Sequence, residues 1–268
     1  MSESPETNAE AFYIGWQGKA APGLARFVRG RVIAVLLISL GLASVIAATQ
    51  APFGASRFEF GVERSFEGQV ELSPYPMLIV DRPGAERTQV APTSRWLLTV
   101  FGKRGADSAV GHLAGHRVRL TGTLIDRDGV TMVELLPESL VDLGEAVLAD
   151  PTPLTTTAAT LRGEIVDSKC YLGVMKPGNL KVHRACATRC ISGGVPPVLM
   201  VRRPDGTARY VLLVDADGGA VNDRILHMVA EPVEISGTLS RLGDLEVLRA
   251  DPMSYRRLGS GPSSPEAH

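Results

Sequence analysis

The chain has 268 residues, 44% of them hydrophobic and 21% charged, with a formal net charge of -1. That balance, with an aromatic content of only 5%, supplies neither the basic stripe nor the stacking platform of a nucleic-acid binder, so no nucleic-acid partner is expected. Its three cysteines cannot all pair with one another, so at least one is a free thiol, a ligand or an intermolecular link.

Residues 1–31 read as a polar cytoplasmic tail. Within it Phe12-Tyr-Ile-Gly-Trp16 is apolar enough to act as an interfacial anchor. Residues 32–50 then read as a transmembrane helix. The run VIAVLLISLGLASVIAAT carries no charge, and at about 1.5 Å per residue it spans roughly 27 Å, close to the hydrocarbon core. Arg26, Arg29 and Arg31 precede it, and the positive-inside rule puts that side in the cytoplasm. The small residues around Ala51 would also suit a cleaved signal peptide. Pro52 follows directly and disfavours cleavage, so an uncleaved anchor is expected.

Residues 57–144 read as a first small β-barrel. Phe66-Glu-Gly-Gln-Val-Glu-Leu72 alternates as a half-buried strand does. Met77-Leu-Ile-Val80 and Trp96-Leu-Leu-Thr-Val-Phe101 follow. Asp128-Gly129 between two alternating apolar runs, His116 to Ile125 and Val130 to Leu135, is a hairpin signal. Residues 145–160 are Thr/Ala/Pro-rich and read as a linker.

Residues 161–258 repeat the grammar. Leu161-Arg-Gly-Glu-Ile-Val166 echoes Phe66-Glu-Gly-Gln-Val70, and Val233-Glu-Ile-Ser-Gly-Thr-Leu239 echoes Val118-Arg-Leu-Thr-Gly-Thr-Leu124. Two tandem OB-like small barrels, a mainly β fold, are the economical reading. Gly68 and Gly122 lie about 54 residues apart and Gly163 and Gly237 about 74, a difference far longer than an ordinary turn. The second copy is therefore expected to carry an insert at residues 168–194. Residues 221–229 suggest a short amphipathic helix capping this barrel, and residues 259–268 a disordered tail.

The insert holds every cysteine. Residues 180–191 contain neither Gly nor Pro and read as a helix, on which His183, Cys186 and Cys190 stand three and four apart and share a face. Cys170, at the preceding strand end, could close the set. Three chemistries fit: a site for zinc or another thiophilic metal built from Cys170, His183, Cys186 and Cys190; a disulfide from Cys170 to a helical cysteine; or a reactive thiol.

On Gly163-Glu-Ile-Val-Asp-Ser-Lys-Cys170 … His183-x-x-Cys186-x-x-x-Cys190-x-x-Gly-Gly-x-Pro-Pro, the stretch 161–258 resembles an uncharacterised group of bacterial exported OB-like small-barrel domains. The resemblance implies the barrel fold and export, and brings no activity with it. Combined with the anchor, it places the chain in a bacterial inner membrane as a single-pass protein, with a cytoplasmic N-terminus and periplasmic barrels.

The sequence holds no nucleotide-binding loop, nucleophile elbow or zinc-protease motif, so no catalytic residue is assigned. A non-enzymatic binding or assembly module is the reading adopted, with a membrane redox complex as its expected partner. A periplasmic thiol oxidoreductase using Cys186 or Cys190 is the alternative. It is disfavoured because both cysteines fall inside or late in the expected helix, where the dipole helps a thiolate least.

Overall fold

The computed structural model describes residues 22–49, 56–82, 93–146, 155–204 and 206–259. The aromatic patch at residues 12–16, most of the expected cytoplasmic tail, the centre of the expected linker and the C-terminal tail lie outside them. Helix α1 (Pro22–Thr49) begins upstream of the apolar run, with proline at its first position, where no backbone N–H is needed. It is the one described helix long and apolar enough to cross a membrane, with a mean hydropathy of 2.3. Leu36, Leu37, Ile38 and Leu40 are all exposed on it. A helix apolar all round needs lipid or protein about it. It forms one compact unit, and the remainder of the chain another.

The first barrel uses β1 (Ser56–Phe58), β2 (Arg64–Glu71), β3 (Met77–Asp81), β4 (Thr93–Val100), β5 (Arg104–Gly105), α2 (Asp107–Val110), β6 (His116–Arg127), β7 (Val130–Leu135) and β8 (Val141–Glu145). Strands β2, β3, β4, β7 and β6 pair in that order, and β6 returns to β2. The result is a closed five-stranded barrel in which only β4 and β7 run parallel. Asp128 and Gly129, both at positive φ, make the expected β6–β7 hairpin. Strands β1 and β8 add to β6, and β5 adds to β4.

The second barrel repeats the ring with β9 (Thr155–Asp167), β10 (Pro197–Arg202), β11 (Ala208–Val214), β12 (Pro232–Leu242) and β13 (Leu245–Arg249), while β14 (Arg256–Arg257) adds to β12. Again the third and fifth strands, β11 and β13, are parallel. Both rings have OB-like connectivity. The repeat extends to single glycines. A Cβ on Gly68 would strike the Ile79 carbonyl, and one on Gly163 the Met200 carbonyl. Gly122 and Gly237 are pressed in the same way on the Glu134 and Arg249 carbonyls. Close strand approach at corresponding bends explains the shared Gly pattern.

Two local expectations change. Strand β9 begins inside the stretch read as linker, because its threonines pair along β12 from Arg241 to Ser236 and β-branched residues suit that half-covered surface. Residues 221–229 form two 3-10 turns, Asn222–Arg224 and Leu226–Met228, rather than a helix.

Among the described residues, three large apolar cores hold this unit, beside a small cluster of Cys170, Cys190 and Val195. One fills the first barrel around Leu78, Leu98, Leu120 and Leu135. A second fills the other around Ile165, Leu199, Leu213 and Leu248. The third lies between them, where Met77, Leu97, Ile125 and Met132 meet Val198, Met200, Leu212 and Val247. Strands at this junction are buried on both faces, so β4 and β10 read as continuous apolar runs instead of alternating. Polar groups fix the register. The Tyr75 hydroxyl donates to the Leu213 carbonyl (2.8 Å) and accepts from the Val221 amide (3.1 Å). Asp244, in the β12–β13 turn, accepts from the Arg95 amide (2.9 Å) and the Arg82 guanidinium (2.7 Å).

Candidate metal centre

The expected insert lies between β9 and β10, and it is built where the two barrels meet. It opens with a π turn, Cys170–Val174, continues through a 3-10 turn, Lys181–His183, and closes with α3 (Arg184–Ser192). The expected helix at 180–191 is thus shorter and starts later. Leu180 sits at φ 65°, which breaks the run, and His183 occupies the turn ahead of α3 rather than its face.

Consecutive residues of Asp167-Ser-Lys-Cys170 do different work. Asp167 is fully buried. One of its oxygens accepts the Cys170 amide at 2.8 Å, and the other meets His183 Nε2 at 3.1 Å. Ser168 donates its amide to the Pro196 carbonyl. Lys169, only 3% exposed, sends its ammonium into the first barrel. There it donates to the carbonyls of Val100 (2.7 Å) and Gly102 (2.8 Å) and pairs with the Glu134 carboxylate.

Cys170 is the hub. Its Sγ lies 3.9 Å from Cys186 Sγ and 4.0 Å from Cys190 Sγ, and all three cysteines are free thiols. The donor atoms fall into two overlapping triads, Cys170 with His183 and Cys186, and Cys170 with Cys190 and Asp167; within each, the atoms lie within 4.8 Å of one another. The sequence-predicted ligands are therefore divided about Cys170, with His183 and Cys186 in one triad and Cys190 in the other, where Asp167 is an addition. Two sulfurs held about 2.3 Å from a tetrahedral metal sit roughly 3.8 Å apart, which is close to the separations seen. If His183 keeps Nε2 on Asp167, Nδ1 is left for a metal, the usual carboxylate–histidine support.

The thiols are not equivalent. Cys170 is pushed far up, first by its hydrogen bond with Cys190 and then by burial. Cys190 is lowered, first by that same hydrogen bond and against the effect of burial. Cys186 is the half-exposed one. It is the third residue of α3, in the first turn, nearer the helix start than the expected helix at 180–191 put it. Its Sγ lies 2.6 Å from Lys103 Nζ, on the β4–β5 turn of the first barrel. The Cys186 contact raises the Lys103 ammonium above the usual lysine range.

Asp167, Lys169 and Lys103 were not picked out as site residues from the sequence. Asp167 and Lys169 stand inside the quoted Asp-Ser-Lys-Cys run, so a signal existed. Lys103 carried none, because only the packing of one barrel on the other brings it there. Along α3, Arg184, Thr188, Arg189 and Ser192 line a groove with Lys181 of the preceding 3-10 turn and Leu226. The chain matches no protein-family model, no curated protein and no solved structure.

Proposed function

We propose that this is a membrane-anchored, exported assembly module whose two fused OB-like barrels hold a thiophilic metal, with zinc as the first candidate. The observation that carries the reading is the convergence of Cys170, His183 and Cys186 within 4.8 Å. Their sulfur spacing suits tetrahedral ligation and not an S–S bond. Cys190 and Asp167 stand behind the set as further donors. A metal there would tie the insert closed and stabilise the fold.

The anchor α1, with Arg26, Arg29 and Arg31 towards its N-terminus, supports a cytoplasmic N-terminus and barrels on the exported face. The basic groove on α3 suits an acidic segment of a neighbouring subunit. An accessory place in a membrane redox complex is the context proposed, and the similarity to bacterial exported barrels belongs to this same reading.

Elemental analysis of the full chain, purified in detergent and kept reduced, tests the metal. About one equivalent per chain, with Cys170 and Cys186 protected from alkylation until a chelator is added, is the expected result. Metal-free protein with every thiol reacting freely in the native state would refute it. Alkaline phosphatase fused after Leu258 reports the orientation, and an expressed but inactive fusion overturns it.

One observation favours a second reading, a thiol oxidoreductase. Cys186 lies half-exposed in the first turn of α3, with the Lys103 amine against its sulfur. Reduction of insulin disulfides by the purified chain, lost in Cys186→Ser, would support it over the metal reading.

A further inference from the structure

We propose that Lys103 and Cys186 form a covalent Nζ–O–Sγ bridge, an oxidative cross-link that staples the first barrel to the cysteine insert. A nitrogen donating to oxygen sits about 2.9 Å away, and sulfur is the larger acceptor, so a hydrogen bond from Lys103 should be longer than that. The observed Nζ···Sγ separation is 2.6 Å. One oxygen atom bonded to both partners holds nitrogen and sulfur at such a separation, whereas a direct N–S bond draws them much closer.

The position is built rather than accidental. The β4–β5 turn that carries Lys103 is fixed from below by the Lys169 ammonium on the Val100 and Gly102 carbonyls. It is fixed from the side by the Gly105 amide on the Gly193 carbonyl, at 2.8 Å. A Cβ on Gly193 would collide with the Lys103 carbonyl, so the end of α3 packs directly on this turn. The side chains that meet across the seam are an exposed lysine and the one half-exposed cysteine, and both are open to a small oxidant. Cys170 and Cys190 are buried.

The oxidant is dioxygen. The Lys103 amine and the Cys186 thiol together carry three hydrogens on nitrogen and sulfur. The O–O bond breaks, one oxygen forms bonds to Nζ and Sγ, and the other leaves as water with two of the hydrogens. Nitrogen and sulfur each lose two electrons, and dioxygen takes up four. The third hydrogen stays on nitrogen. Excess dithiol reverses the step, returning lysine, thiol and water.

The bridge stands independently of the metal reading, but its consequence rests on it. A bridged Cys186 is withdrawn from the Cys170–His183–Cys186 triad, which leaves Cys170, Cys190 and Asp167. Metal binding then falls on oxidation and returns on reduction.

The test is intact mass and peptide mapping of the full chain, purified in detergent under air. The expected species is one oxygen heavier and two hydrogens lighter than the sequence mass, maps to peptides holding Lys103 and Cys186, and disappears with dithiothreitol. It is absent from Lys103→Arg and from Cys186→Ser, and it persists in Cys190→Ser. An unchanged mass under air overturns the proposal in favour of an ion pair. Loss of two hydrogens alone means a disulfide and overturns it, as does the same mass gain in Lys103→Arg. Metal content measured before and after dithiothreitol is a separate readout, so the metal reading and the bridge can fail independently.

Discussion

Replacing Lys169 by Met should loosen the junction of the two barrels. The side chain is 3% exposed, and its ammonium meets the carbonyls of Val100 and Gly102 and the carboxylate of Glu134. Methionine fills much the same volume but leaves the Glu134 carboxylate, 14% exposed, without a counter-charge. Removing one partner of a buried ion pair costs about 3–5 kcal/mol, because the other charge stays buried and uncompensated. The two carbonyls add to this only if water does not replace the lysine. Urea unfolding of the full chain in detergent, followed through Trp96 in β4, should show a lower midpoint with an unchanged slope. The double variant Lys169→Met with Glu134→Gln should recover much of the loss, since no unpaired charge remains. A Lys169→Met cost below about 1 kcal/mol, the worth of a surface pair, would refute the view that this lysine clamps the barrels.

Asp167→Asn should weaken metal binding about 10- to 100-fold without abolishing it, as expected when the support of a histidine ligand is lost; competition with a chromophoric chelator measures this. Gly122→Ala and Gly237→Ala should destabilise the protein to similar extents, because each methyl would meet a backbone carbonyl at the same bend of its barrel; thermal unfolding of both variants checks the repeat. Glu164 accepts the Leu180 amide at 2.5 Å, and burial raises its pKa above the ordinary value. A raised carboxylate contributes stability that is present below its unfolded pKa and lost as pH rises through the folded one. Glu164→Gln should therefore remove that part of the decline above about pH 4.3, the unfolded value, so that stability at pH 7 relative to pH 4, read from urea midpoints, is higher in the variant than in the unaltered chain.

Much of the fold could be read from local pattern because each barrel is a local object. The Asp128-Gly129 turn, the paired Gly68/Gly163 and Gly122/Gly237 bends and the length difference between copies are all properties of short stretches. They sufficed to place the insert between the first two strands of the second ring. Strand β10 carries no such signal, because Pro196 and Pro197 mask its start and both its faces are buried, which leaves no alternation to see. The helix starts a few residues later than its Gly- and Pro-free run implies, because nothing in Leu180-Lys-Val-His183 announces a left-handed Leu180.

The cysteines and His183 could be picked out because their chemistry is rare and their spacing short. Lys103 could not, being 83 residues from Cys186 and reaching it only across the seam. That seam explains the Asp-Ser-Lys-Cys run. In four residues the chain turns a histidine towards the site through Asp167, anchors the other barrel through Lys169 and supplies the hub thiol at Cys170. The residue that docks the barrels therefore adjoins the residue that centres the site. A shift of the first barrel would pull on Lys169 and displace Cys170 and the β4–β5 turn together, altering the Cys170–Cys186 and Lys103–Cys186 spacings at once. Docking and site chemistry are thereby coupled through a single turn of chain. Lys169→Met should slow formation of the Lys103–Cys186 cross-link as well as lower stability, although it touches neither atom. A variant that loses stability yet cross-links at the unaltered rate would show the two to be separate.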